Sequence, residues 1–275
     1  MAPSVAVAQW EAVKRNFMFL FFCLNDIIMV SGGIMLITSV NNDKIKELVK
    51  LKDKKYRDLN NMFFIEGKDL CDIAYERGVL RQIYILDSYD NIYDGIPCTY
   101  VSHDVMKKIS DMGSVSEYYG VCSKIVENNI GNRILVLDDI QDPGNLGTII
   151  RSAVAFNFDT IVLSRNTVDL YNPKVVRSTK GMLFNINIIA RDIVPFLNEL
   201  DDYVIYGTDV INGVNIKDED IPKKIAIVIG NEGKGISEDV KKCCHKYLYI
   251  GMNNKCESLN AGVSASILMY EVNNK

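Results

Sequence analysis

The sequence predicts an α/β protein of two units, a small α/β/α unit followed by a larger unit built on a mostly parallel sheet. Three observations carry this. Short apolar runs alternate with helical stretches along most of the chain, the runs after residue 133 are almost continuously apolar, and a polar segment, "ENNIGNR" at 127–133, separates the halves. A strand with apolar residues on both faces belongs in a parallel sheet covered by helices on both sides. At 275 residues, 48% of them hydrophobic, the chain has material for two modest cores.

The elements follow in order. "DKIKELVKLKDKKY" at 43–56 places Ile45, Leu48, Val49 and Tyr56 on one helical face with lysines opposite. "MFFIEG" reads as a strand, "KDLCDIAYERG" as a helix stopped by Gly78, "QIYIL" and "CTYVS" as strands, "HDVMKKISDM" as a helix and "YYGVCSKI" as a strand. After the polar segment, "ILVLD", "TIVLS", "YVIYGTD", "IAIVIGN" and "YLYIG" are the strands of the second unit. The apolar residues 17–37 are interrupted by Asn25, Asp26 and Gly32-Gly33, so they fall short of a membrane span. Met29 and Met35 offer internal starts, and residues 1–34 are expected to form an extension rather than an anchor. The expected organisation is therefore an extension over 1–34, a unit over 35–126, a linker over 127–133 and a second unit over 134–275.

Composition narrows the function. A net charge of −4 argues against a surface that is basic all over, but Lys44, Lys46, Lys50, Lys52, Lys54, Lys55 and Arg57 form a local basic run against Glu47 and Asp53. Such a run reads equally as a solvated helix flank or as a polyanion-binding face. The seven cysteines are scattered and none forms a C-x-x-C pair, so the chain is read as reduced and cytoplasmic, its thiols mostly buried, with no disulfide framework and no metal site. Only two histidines occur, His103 and His245, with no G-x-S-x-G, which excludes the usual hydrolase triads.

The glycines of the second unit lie in the wrong place for a dinucleotide fingerprint. The loop after the first strand is instead "DDIQDPGNLGTIIRSA", where Pro143-Gly144 make a turn, Asn145 is placed to cap the next helix, and Leu146, Ile149, Ile150, Ala153 and Val154 form its apolar face. Gly147 and Arg151 lie one turn apart on the other face. That pairing leaves room for an anion held by the guanidinium; equally, Gly147 permits close helix packing and Arg151 is a surface ion-pair residue.

Three segments in order, "DDIQDPGNLGTIIRSA", "IVIGNEGKGIS" and "YLYIGMNNKCESLNAGVSASILMYE", resemble motifs 1, 2 and 3 of the SpoU (TrmH-type) branch of the SPOUT RNA methyltransferases. The resemblance covers the whole second unit. In the first, "KKYRDLNNMFFIEGKDL" and "VSHDVMKKIS" resemble an L30e-like RNA substrate-binding domain. The resemblance implies a SPOUT-type parallel sheet closed by a C-terminal trefoil knot, which departs from the ordinary threading rule. It also implies transfer of a methyl group from S-adenosylmethionine to a ribose 2′-hydroxyl of rRNA or tRNA, and a homodimer.

By the same resemblance Arg151 is the central reacting residue, with Asn145, Glu232, Ser258 and Asn260 around it, and Thr208, Gly230, Asn231, Gly233, Ile250 and Leu259 line the cofactor site. Arginine is always protonated, so Arg151 is expected to organise the target phosphate and hydroxyl rather than act as a base. The basic run then supplies RNA-binding residues Lys50, Lys52, Lys54, Lys55 and Arg57. Dimer contact is expected through the last helix, with Val263, Ile267, Leu268 and Tyr270 beside small Ala261, Gly262, Ala265 and Ser266. Two other readings compete: a catalytically silent RNA-binding protein, and a membrane-associated protein anchored by its N-terminal apolar segment.

Overall fold

Two seven-stranded sheets organise the chain, and the computed structural model describes residues 23–24, 27–30, 34–111, 115–210 and 213–275. The first sheet is mixed. It contains β1 (Cys23–Leu24), β2 (Ile27–Val30), β3 (Ile34–Ile37), β4 (Met62–Glu66), β5 (Leu80–Leu86), β6 (Cys98–Val101) and β7 (Tyr118–Ser123), in the order β1-β2-β3-β6-β5-β7-β4. Helices α1 (Asp43–Lys50) and α4 (His103–Ile109) cover one face through Ile45, Leu48, Val105, Met106 and Ile109. On the other face α3 (Lys68–Glu76) contributes Leu70, Cys71 and Ala74. It stops where Gly78 turns at φ +66°. The α/β/α reading of this unit is thus realised. Strand β2 of the expected extension pairs with β3 across the expected boundary at 34/35, Ile28 with Leu36 and Met29 with Met35. Of the apolar stretch 17–37, residues 17–22, 25–26 and 31–33 lie outside the described residues.

The expected single helix over 43–56 is two helices. Leu51 ends α1, and Asp53 caps α2 (Lys54–Asn60) by accepting from the Lys55 N–H at 2.9 Å. The cause is Arg57. Its guanidinium turns back and donates to the Leu51 and Lys52 carbonyls at 2.8 and 2.7 Å, satisfying acceptors that the break leaves without helical partners. Tyr56, expected on the buried face, is only half-buried.

The second sheet is parallel throughout. It contains β8 (Arg133–Leu137), β9 (Thr160–Leu163), β10 (Asn187–Ala190), β11 (Val204–Thr208), β12 (Val214–Asn215), β13 (Ile225–Ile229) and β14 (Lys246–Tyr249), in the order β10-β9-β8-β13-β11-β14-β12. Its central strands bury alternate residues in opposite directions. Leu135, Leu137, Ile227 and Ile229 meet α5 (Pro143–Ala155), α6 (Pro173–Ser178) and α9 (Ala261–Asn273), while Ile134, Val136, Ala226 and Val228 meet α7 (Ile193–Asn198) and α8 (Glu238–Lys241). That double cover is why the strands read as continuous apolar runs. The connection from β11 to β12 must cross β14, which lies between them, and the Asp209 N–H donates to the Leu248 carbonyl at 3.1 Å. This crossing agrees with the knot implied by the resemblance.

One hydrophobic cluster spans the two units. Phe63 of β4 packs on Tyr171 with ring centroids 4.6 Å apart, and Arg57 pairs with Asp169 at 2.6 Å across the junction. Arg57 is 3% exposed.

Candidate active site

Helix α5 is the hub of the site. Its N-cap is Asp142, whose carboxylate accepts from the Asn145 N–H at 2.8 Å, and Pro143 occupies the first turn, where its missing N–H costs nothing. Asn145, expected as the cap, sits three residues further on and is buried. This frees its side chain for another task. Asn145 Nδ2 donates to Glu232 Oε1 at 2.9 Å, and its Oδ1 accepts from Asn260 Nδ2 at 2.8 Å. Asn260 in turn caps α9 by accepting from the Val263 N–H at 3.2 Å. One chain of hydrogen bonds therefore ties the loop after β13, the start of α5 and the start of α9, which carry the three motifs.

Glu232 closes that chain. Its carboxylate also accepts from the backbone N–H groups of Asp142 at 3.1 Å and Gln141 at 3.2 Å. Partial burial by itself pushes its carboxyl up, but Asn145 Nδ2 and the N–H groups of Asp142, Glu232 itself and Gln141 outweigh that and hold it below the usual carboxylate value. Glu232 is thus an ionised acceptor that organises donors.

Helices α5 and α9 run parallel in fixed register. Asn145 meets Asn260, Ser152 Oγ meets Ser266 Oγ at 2.7 Å, and Phe156 packs edge-on to Tyr270 with centroids 5.6 Å apart. On the other side α5 meets α6 so closely that a Cβ on Gly147 would lie 2.5 Å from Ser178 Cβ and 2.9 Å from its backbone carbon. The space at Gly147 is therefore filled by Ser178, and the packing reading of that glycine holds; it leaves no room for an anion. Arg151 is exposed one turn further on, between the two seams, and makes no ion pair or hydrogen bond among the described residues.

The three loops of the expected cofactor site leave the C-terminal ends of β13, β11 and β14, which are adjacent parallel strands, so they lie side by side. Thr208 ends β11 with Oγ1 donating to the Val228 carbonyl at 3.2 Å, and Ile250 and Leu259 are, with Met252, the half-buried residues of a mostly exposed loop. Gly230 is required by the loop itself, since a Cβ there would lie 2.6 Å from the Gly235 carbonyl oxygen. Asn231 commits both backbone and side chain within this structure: it pairs with Gly235, accepts from Gly233 and Lys234 N–H at 3.0 Å, and donates to the Asp139 carbonyl at 2.8 Å. It shapes the loop instead of reaching out of it. At Gly233 an added Cβ would meet nothing nearer than 3.8 Å. Ser258 is exposed and stands outside the Glu232–Asn145–Asn260 chain, with its backbone oxygen 3.2 Å from Cys256 Sγ.

The basic run is rearranged. Arg57 is buried and bonded within the protein, so it is withdrawn from the RNA-binding set. Lys50 pairs with Glu47, Lys52 with Asp111 and Lys54 with Asp58, while Lys55 lies over the Tyr56 ring. Among the cysteines from Cys71 onward, Cys71 and Cys122 are buried, Cys98, Cys243 and Cys244 are half-buried and Cys256 is exposed, fewer buried than expected. Burial pushes the Cys98 and Cys244 thiols up to about 11. His245 Nδ1 accepts from the Ile205 N–H at 3.1 Å, a structural role between β11 and β14. Sequence reasoning missed Asp142, recognisable as an Asp before Pro-Gly, and Gln141, which offers no local signal.

A parallel sheet with three motif loops at its C-terminal edge, tied by one polar chain, is the arrangement that the resemblance to the SPOUT methyltransferases implies. The sequence profile of the SpoU rRNA methylase family matches residues 132–270, and that of the MRM3-like substrate binding domain matches residues 42–116. The chain belongs to the SpoU rRNA methylase family, and it is an RNA methyltransferase. It is 32% identical over 243 residues to the 23S rRNA (guanosine(2553)-2′-O)-methyltransferase RlmP of Bacillus subtilis, with 86% of this chain and 98% of that one covered. A crystal structure of an RNA 2′-O ribose methyltransferase superposes with a TM-score of 0.74 at 28% identity, covering 86% of this chain and 97% of the other. The AdoMet-bound rRNA methyltransferase from Sinorhizobium meliloti shares the fold, with a TM-score of 0.78 at 24% identity over 88% of this chain and 98% of its own. No helix among the described residues is long and apolar enough to cross a membrane.

Proposed function

We propose that this enzyme methylates a ribose 2′-hydroxyl of ribosomal RNA with S-adenosylmethionine as the donor. The observation that carries the reading is the Glu232–Asn145–Asn260 chain, which fixes the three motif loops relative to one another around the helix that bears Arg151. The likeness to a 23S rRNA 2′-O-methyltransferase supports ribosomal RNA as the substrate class. The apolar side chains of Ile250 and Leu259 and the open backbone at Gly233 suit a flat heteroaromatic ring with a polar rim, and these residues with Thr208 and Gly230 would hold the cofactor. When bound, it supplies an electrophilic methyl group on a sulfonium.

The chain's own residues bind and orient. Arg151, permanently charged and planar, grips the phosphate beside the target ribose and aligns the hydroxyl, and such orientation lowers the barrier by meeting the entropy cost of alignment in advance. Asn145 and Asn260 act as positioning residues through Glu232, and Ser258 flanks the cofactor loop. Lys50, Lys52, Lys54 and Lys55 give the first unit an RNA-facing surface. In this reading the enzyme works in the cytoplasm as a homodimer. The contact surface on α9 is Val263, Ile267 and Tyr270, because Gly262, Ala265 and Leu268 are buried within the subunit.

The test is ribose-methylation mapping across rRNA from cells with and without the protein, paired with methyl transfer to an unmodified 23S rRNA transcript. Loss of one 2′-O-methyl mark in the cells and its restoration in vitro are expected. A complete rRNA methylation map in the deleted strain, with no transfer to the transcript, would overturn the reading.

A further inference from the structure

Beside the N-terminus of α5 lies an open cavity of about 440 Å³ lined by Asp142, Pro143, Gly144, Lys174, Arg177, Ser178 and Lys180. Three cations thus converge on one concavity. Lys174 and Arg177 are one turn apart on α6, and Lys180 follows in a left-handed turn at φ +50°, next to Gly181 at φ +81°. A lysine in that conformation is uncommon and costly to hold, and here it keeps Lys180 at the cavity. None of the three side chains has an ion pair or hydrogen bond among the described residues, in contrast to Lys50, Lys52 and Lys54. The only carboxylate in the lining, Asp142, is engaged by the Asn145 N–H.

The cavity is also tied to the reacting helix. Ser178 Oγ donates to the Pro143 carbonyl at 3.0 Å, and Gly147 admits Ser178 against α5, so the cationic helix is locked to the helix that carries Arg151. Gly144, at the cavity, and Arg151 are seven residues apart and share one face of α5, separated by about 10 Å along its axis. No residue of α5 between them carries a charge. Arg177 also lines the narrow junction beneath Glu66 and Asp111 of the first unit, where Asp111 is already paired with Lys52 and Glu66 accepts from Ser110 Oγ and the Asp111 N–H.

We propose that this cavity is a phosphodiester-binding track, in which Lys174, Arg177 and Lys180 hold the RNA backbone next to the target nucleotide and feed it toward Arg151. This rests on the RNA-methyltransferase reading above and adds the surface by which the catalytic unit itself grips the strand. Single-strand contacts release counterions, so three phosphate contacts steepen the log–log salt dependence of binding by about 2.

The test measures binding of an unmodified 23S rRNA transcript fragment between 50 and 200 mM salt by the full chain and by Lys174→Gln/Arg177→Gln/Lys180→Gln. The parent should lose about 20-fold more affinity than the variant across that range, with S-adenosylmethionine affinity equal in both. Lys174→Gln/Lys180→Gln, which changes only exposed side chains, should show about two-thirds of the slope change and guards against misfolding of the triple variant. Equal salt slopes for parent and double variant would overturn the track even if the parent methylates the transcript. Failure of the parent to methylate any RNA would instead overturn the catalytic reading, while the salt slopes still decide the track.

Discussion

Arg57 separates a structural role from an RNA-binding one, and Arg57→Ala decides between them. Its guanidinium donates to two carbonyls at 2.8 and 2.7 Å and to Asp169 at 2.6 Å, and it is 3% exposed. Removing one member of a buried pair typically costs about 3–5 kcal/mol, because the other charge and the carbonyls lose their partners. Two features lower that figure here. Asp169 is partly solvated, and Arg57 Nε is buried without a partner, so the substitution also relieves one desolvated donor. A loss of about 3 kcal/mol is expected, which moves the urea midpoint down by about 1 M for a slope near 3 kcal/mol/M. The assay is equilibrium urea denaturation followed by far-UV circular dichroism, with the salt slope of RNA binding measured under folded conditions. A midpoint shift under 0.3 M (about 1 kcal/mol) together with a flatter salt slope would refute the structural assignment and return Arg57 to the RNA surface.

The remaining predictions concern the site. Arg151→Ala should lower single-turnover methyl transfer by about 100-fold or more while leaving cofactor titration and light-scattering mass unchanged, and Arg151→Lys should not rescue it; near-normal turnover in the alanine variant would end its assigned role. Glu232→Gln places an amide donor among the N–H groups of Gln141, Asp142 and Asn145, so stability should fall by about 1 kcal/mol at neutral pH after allowance for exposure, and cofactor affinity should weaken. Because the Glu232 carboxyl is held below its ordinary value, its contribution is complete above that value and is lost as pH falls through the depressed one. Melts of parent and variant should therefore converge in acid, and a constant gap would contradict the donor arrangement. Gly147→Ala forces a methyl group onto Ser178 and should destabilise by about 1–2 kcal/mol despite the gain in helix propensity, as read from the thermal midpoint.

Much of the architecture was written locally. The second-unit strands are apolar on both faces because helices cover both faces, and that pattern needs no knowledge of partners. The three motifs also stand in the sequence in order, and hydrogen bonds join Asn145 to Glu232 and to Asn260. Where reasoning from the chain alone stopped, a contact distant in sequence decided. Lys44–Arg57 reads as one predominantly basic run, yet Arg57 is drawn inward by Asp169, 112 residues away. Gly147 allows both open space and close packing until Ser178 decides for packing, and Asn145 reads as a cap until Asp142 takes that place and releases it toward Glu232. Residue periodicity reports the average surroundings of a helix face or strand face, which local sequence largely sets. The partner of a single charged or polar side chain depends on which segments the tertiary fold places within hydrogen-bond reach, about 3 Å, and only the folded chain specifies that.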